Sequence, residues 1–156
     1  MIEQESIQKT VLDMSLVTLI DRTLAIPSSA IIEVVNITVP QVVGKMPRWF
    51  LGFLPWQGLR VPFISFEGVC GSGFKINNTS NILILKTITP TLQCKFIALL
   101  IQDVPMTCSI TEDMVIDVVG DLSKYELENI KINEFVAKVP DMPALERLLV
   151  KTGVLV

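Results

Sequence analysis

The sequence predicts an all-β protein, a barrel or sandwich with only short helices. Short runs rich in Val, Ile, Leu and Thr recur along the chain, and turn residues separate them at regular spacing. One pair of runs, Trp49 to Trp56 and Leu59 to Phe66, folds back at Gln57-Gly58, where the glycine supplies the positive φ of a tight β-hairpin. Both arms are apolar on both faces, so the hairpin must lie between other layers and is read as the centre of the β core. Gly52 and Pro55 weaken the first arm, which allows a helical turn at Arg48 to Leu51. Pro62 lacks an amide donor and is expected on an edge or at a bulge.

The other elements follow in order. Residues 1–10 are polar and read as a frayed end. Val11 to Ile20 and Thr23 to Ile26 form a first hairpin around Asp21-Arg22, ended by Pro27. Ser28 or Ser29 can cap a short helix over Ser29 to Val35, with Ile31, Val34 and Val35 at helical spacing. Residues 36–46 lack a period and read as a loop. The glycines and polar residues of 68–80 make a flexible surface loop and a seam between two halves. Strands are expected at Asn81 to Ile88, Lys95 to Ile101, Met106 to Ile110, Met114 to Val119, Tyr125 to Ile132 and Phe135 to Val139. A helix over Ala144 to Val150 closes the series: Asp141 is placed to cap it, Pro143 fits its first turn, and Leu145, Leu148 and Leu149 form its apolar stripe.

Composition narrows the function. A chain of 156 residues, 50% of them hydrophobic, can bury one substantial core or two small fused ones. The net charge of -3 without a basic block argues against nucleic acid as a partner. The mean hydropathy of +0.55 raises the question of a membrane span, but charges or polar clusters interrupt every run approaching the required ~20 residues. The N-terminal MIEQESIQK has no apolar core of a secretory signal, so a cytoplasmic protein without membrane insertion is expected. Cys70, Cys94 and Cys108, with no CxxC pair, read as buried small hydrophobes.

The absence of histidine removes Ser-His-Asp and Cys-His catalysis and the commonest metal ligand. Gly68, Gly71 and Gly73 have neither the spacing nor the following helix of a phosphate-binding loop. Asp113 with Asp117, and Asp121 with Glu126 and Glu128, read as solvated turns and strand faces. No catalytic residue, cofactor or metal is therefore expected. Abundant aliphatic strand surface without catalytic groups suits a protein-binding module.

Three motifs sharpen this. They read Leu24-Ala25-Ile26-Pro27, then Ile31-Ile32-Glu33-Val34, then an ungapped block from Pro47-Arg48-Trp49-Phe50-Leu51-Gly52 to Phe66. The span from Leu16 to Glu67 thereby resembles the first half of the CheW-like family, adaptors that couple chemoreceptors to a histidine kinase in bacterial chemosensory arrays. The second half matches more loosely, through Phe96 to Val104, with Gln102 where an acidic residue is usual. Pro55, Gln57 and Ser65 stand where the family has Asn, Arg and Asp.

The resemblance implies two packed SH3-like five-stranded β-barrels in a single CheW-like domain over 1–156. The first barrel region would be 14–68, the second 80–139, and a helix and tail 140–156. It implies receptor contact at positions matching Ile31, Glu33, Gly52 and Gln57, with Gly52 letting a partner helix pack close. Trp56 and Gly58 at the hairpin tip complete the candidate partner-binding set. The implied partners are the cytoplasmic tip of a chemoreceptor and the regulatory domain of a CheA-like kinase. The departures look similar to accessory adaptors of type IV pilus systems, which act in twitching motility. The other reading is a β-barrel interaction module serving an unrelated protein.

Overall fold

The computed structural model describes residues 10–42 and 44–155. Apart from Thr10, the expected frayed end lies outside these residues. The strands are β1 (Val11–Thr18), β2 (Thr23–Pro27), β3 (Ile31–Asn36), β4 (Phe50–Trp56), β5 (Leu59–Ile64), β6 (Asn81–Lys86) and β7 (Phe96–Ile101). They continue as β8 (Met106–Thr111), β9 (Val115–Val118), β10 (Glu126–Ile132) and β11 (Phe135–Pro140). Among the described residues two α-helices are present, α1 (Phe66–Val69) and α2 (Met142–Lys151).

The strands form two sheets, β3-β6-β7-β5-β4 and β8-β1-β2-β11-β10-β9. In the first, the chain following edge strand β3 reaches the opposite edge: Gln41 and Phe53 exchange both backbone hydrogen bonds, at 2.9 and 2.8 Å. This closes the sheet into a barrel. In the second, the edge strands β8 and β9 are consecutive in sequence and joined by the 3-10 turn Glu112–Met114. The chain bends there from one edge to the other, so this barrel counts six strands where five were expected.

Three apolar cores result from strand alternation. Leu54, Val61, Phe63, Ile82, Ile84, Ala98 and Leu100 fill the five-stranded barrel. Met14, Leu16, Ala25, Ile110, Ile130, Ile132 and Ala137 fill the other. The alternate residues of the same strands, among them Val17, Leu24, Ile26, Ile64, Leu83, Leu85, Leu99 and Ile101, join Leu145 and Leu149 of α2 in a shared core between the barrels. Strands β6 and β7 are thus buried on both faces. The inner half of β5, from Val61 to Ile64, behaves the same way, with Phe63 directed into the barrel and Ile64 into the shared core, both fully buried, whereas the turn and Leu59 are exposed.

Several expectations are corrected. The sheets do not follow the halves 14–68 and 80–139: β1 pairs with β8 from Val11↔Thr111 to Leu16↔Met106, and β2 meets β11 at Leu24↔Lys138. The N-terminal hairpin therefore belongs to the barrel built by the C-terminal strands. The expected helix over Ser29 to Val35 is a 3-10 turn at Ser28–Ala30 followed by β3. A bulge between Ile31 and Glu33 puts Ile31 and Val34, three apart, on the shared-core side, and this mimicked helical spacing. Its β-branched residues suit the strand.

Pro62 does not sit on an edge strand, since β5 lies between β4 and β7. The β7 pairing begins one residue later, at Phe63↔Ala98, so the missing N–H falls outside that ladder. Of the helical turn expected over Arg48 to Leu51, only a turn at Arg48-Trp49 forms, with Phe50 N–H donating to the Pro47 carbonyl where β4 begins. The loop expected from Gly68 begins inside α1, which Ser65 caps by accepting from the Gly68 N–H at 3.0 Å. The three cysteines are free and half-buried. α2 forms as expected, with the Asp141 carboxylate accepting from Ala144 N–H at 3.1 Å.

Candidate functional site

The β4–β5 hairpin turns through Gln57 and Gly58 at φ 48° and 74°, the pair of positive values that defines a type I′ turn. Its right-handed twist matches the strands and leaves both turn residues exposed. Just before the turn, the half-buried Trp56 covers the mouth of the five-stranded barrel, its ring meeting Phe96 edge-on with centroids 4.9 Å apart. The indole N–H donates to Glu33 Oε1 at 2.9 Å. Glu33 stands on the exposed edge strand β3, on the side of Val35, because the bulge at Ile32 turns it there. The bond joins the two edge strands of the barrel. Glu33 Oε2 makes no hydrogen bond to a described residue. The tip thus presents a carboxylate, oriented by an indole, with one oxygen available beside an uncharged amide.

The fold brings Glu33, Trp56, Gln57 and Gly58 together. Ile31 lies two residues along β3 and leans into the shared core. Gly52 is placed differently. It is buried at φ +127°, and a Cβ would stand 2.6 Å from the Gln41 carbonyl oxygen and 2.9 Å from Pro40 Cβ. The chain after β3 covers the position expected to receive a partner helix, so glycine here is required by the fold.

Other carboxylates are engaged inside the molecule, contrary to the solvated reading given to Glu126. Its side chain is 1% exposed, accepting from Arg22 Nη1 at 2.7 Å and from Ser123 N–H at 2.8 Å. Arg22 also grips Asp21, which pulls the Asp21 carboxyl below its ordinary pKa, and donates to Ser72 Oγ at 3.0 Å. Glu67, fully buried, accepts from Ile20 N–H at 3.0 Å and Ser65 Oγ at 2.9 Å. Glu146 of α2 accepts from the N–H groups of Ile88 and Thr89 at 2.8 and 2.9 Å. Nothing in local sequence signals the pairings of Ile20 with Glu67, Arg22 with Glu126 and Ile88 with Glu146, whose partners lie 47, 104 and 58 residues apart. Burial pushes the Cys70 thiol pKa up, and Ser123 Oγ donates to its sulfur at 3.0 Å. Glu128 and Asp117 share a hydrogen bond that raises the Glu128 pKa.

Among the described residues no group of three or more His, Cys, Asp or Glu is placed to hold a metal ion. No helix among them is long and apolar enough to cross a membrane.

The family model for the CheW-like domain matches residues 13–148. Among solved structures, the chain is similar to the scaffolding protein TtCheW from Thermoanaerobacter tengcongensis, with a TM-score of 0.78 at 16% identity over 94% of this chain and 100% of that one. That likeness shows the shared two-barrel fold. No curated protein matches the chain.

Proposed function

Since the chain belongs to the CheW-like domain family, we propose that it is a non-enzymatic cytoplasmic adaptor that joins a chemoreceptor's cytoplasmic tip to the regulatory domain of a CheA-like histidine kinase. The supporting observation is the exposed Glu33 carboxylate, oriented by Trp56 beside the hairpin turn, with one oxygen left for a partner. Glu33, Trp56, Gln57 and Gly58 form the face a partner meets; Ile31 supports it from the shared core, and Gly52 acts by allowing the backbone beneath it. A neutral amide at Gln57 offers hydrogen bonds without charge, so the contribution of Gln57 itself should depend weakly on salt.

Affinity capture from the native host tests the reading. Recovery of a chemosensory kinase or receptor with the wild type, reduced by Glu33→Ala, is the expected result. The identity of the recovered kinase distinguishes a flagellar from a pilus-based system. Recovery of neither would favour an interaction module serving an unrelated protein.

A further inference from the structure

We infer that a pocket beside the seam between the barrels, separate from the hairpin tip, receives an acidic side chain of a protein partner. The pocket, of about 240 Å³, is lined by Arg48, Trp49, Gly68 and residues 71–74. Its aromatic wall is built on Gly68, where a Cβ would stand 2.6 Å from the Phe74 ring and 2.9 Å from Trp49 Cβ. Gly71 is needed for its backbone, at φ +91°. Gly73 has neither reason: its φ lies outside the left-handed region and a Cβ would meet nothing within 4 Å. Close approach of another molecule to the main chain accounts for a glycine that the protein's own packing does not require.

The loop is fixed from below. Ser72 N–H donates to the Glu67 carbonyl at 2.8 Å, and Ser72 Oγ accepts from Arg22 of the other barrel at 3.0 Å. A surface ordered in advance loses less entropy on association. The charge at the rim is Arg48, exposed and without a carboxylate within 4 Å among the described residues, in a chain of net charge -3. A guanidinium can fork onto a carboxylate through two parallel N–H bonds. Trp49 and Phe74 offer apolar surface to the methylenes of the same acidic residue.

The identity of the partner rests on the adaptor reading; the chemistry of the pocket does not. Two titrations separate them. In the first, isotope-labelled protein receives acetyl-Leu-Glu-Leu-amide or its Gln counterpart while the Trp49 indole N–H and Gly73 amide resonances are followed. The Glu peptide is expected to bind about tenfold more tightly than the Gln peptide, and Arg48→Ala to erase the difference. Equal responses to the two peptides, or none, would overturn the inference.

In the second, a receptor tip or kinase regulatory domain from the native host is titrated into wild type, Arg48→Glu and Gly73→Leu. Both variants are expected to keep the wild-type melting midpoint and to lose about tenfold in affinity. Unchanged affinity in both would refute the pocket while leaving the adaptor reading intact. Failure of either macromolecule to bind wild type would refute the adaptor reading, and the peptide pair would still decide the pocket.

Discussion

The seam between the barrels and the tip of the β4–β5 hairpin both depend on glutamates, used in opposite ways. At the seam, Glu67, Glu126 and Glu146 are buried and spend their oxygens on backbone N–H groups, on Ser65 and on Arg22. They satisfy donors that burial would otherwise leave unpaired, and Glu67 and Glu146 also tie elements across the seam, through Ile20 and through Ile88 and Thr89. At the tip, Glu33 is exposed and held by one indole. A carboxylate whose capacity is used up inside the fold contributes to stability, whereas one left half-satisfied at the surface is available for recognition.

Substitutions at the seam should therefore cost stability and those at the tip should cost binding. The largest effect is expected for Glu126→Ala, which takes the buried carboxylate from the nearly buried Arg22, leaving it only the partly exposed Asp21, and removes the acceptor of the Ser123 N–H; it should lower unfolding free energy by about 3 to 5 kcal/mol in urea titration. Gly52→Ala tests the boundary between the two regions. It forces a Cβ against the Gln41 carbonyl in a backbone conformation that L-residues rarely adopt, and should cost about 3 kcal/mol. A stable, folded Gly52→Ala that merely lost partner binding would return Gly52 to the recognition face.

Glu146→Ala leaves the Ile88 and Thr89 N–H groups without their acceptor and should cost about 1 to 3 kcal/mol by thermal melting. Smaller still is the contribution of Asp21, whose partly exposed bond to Arg22 limits it to under about 1 kcal/mol. The bond lowers its folded pKa, so this stability is present above the ordinary Asp range and is lost as pH falls through the lowered value. Wild type and Asp21→Asn should accordingly differ in melting midpoint at neutral pH and converge in strong acid.

How much of this was legible depends on the range over which the information lies. Most strands announced themselves through β-branched runs, and Gln57-Gly58 marked the hairpin because positive φ is a local demand. The caps of α2 at Asp141 and Pro143 were equally local. β3 was misread because one bulged residue converts a period of two into an apparent helical one. α1 is a single capped turn, too short for periodicity to register. The joining of the N-terminal hairpin to β8 and β11 depends on partners about a hundred residues away, which no local pattern encodes. The same holds for the buried glutamates: Glu146 meets Ile88 across 58 positions of sequence. At the candidate face, the resemblance pointed to Glu33 and the hairpin tip added Trp56, but the hydrogen bond that orders one with the other became apparent only in the fold.

The most direct test compares wild type with Glu33→Gln, titrating a chemoreceptor cytoplasmic tip from the native host by calorimetry and recording thermal melts in the same buffer. The variant keeps the size of the side chain and an oxygen for Trp56 while removing the charge offered to a partner. The expected result is wild-type binding, about tenfold weaker in the variant, with a melting midpoint within about 2 °C of wild type. Equal affinity for both proteins, or a loss of binding matched by a large fall in melting midpoint, would contradict the assignment of Glu33 to recognition.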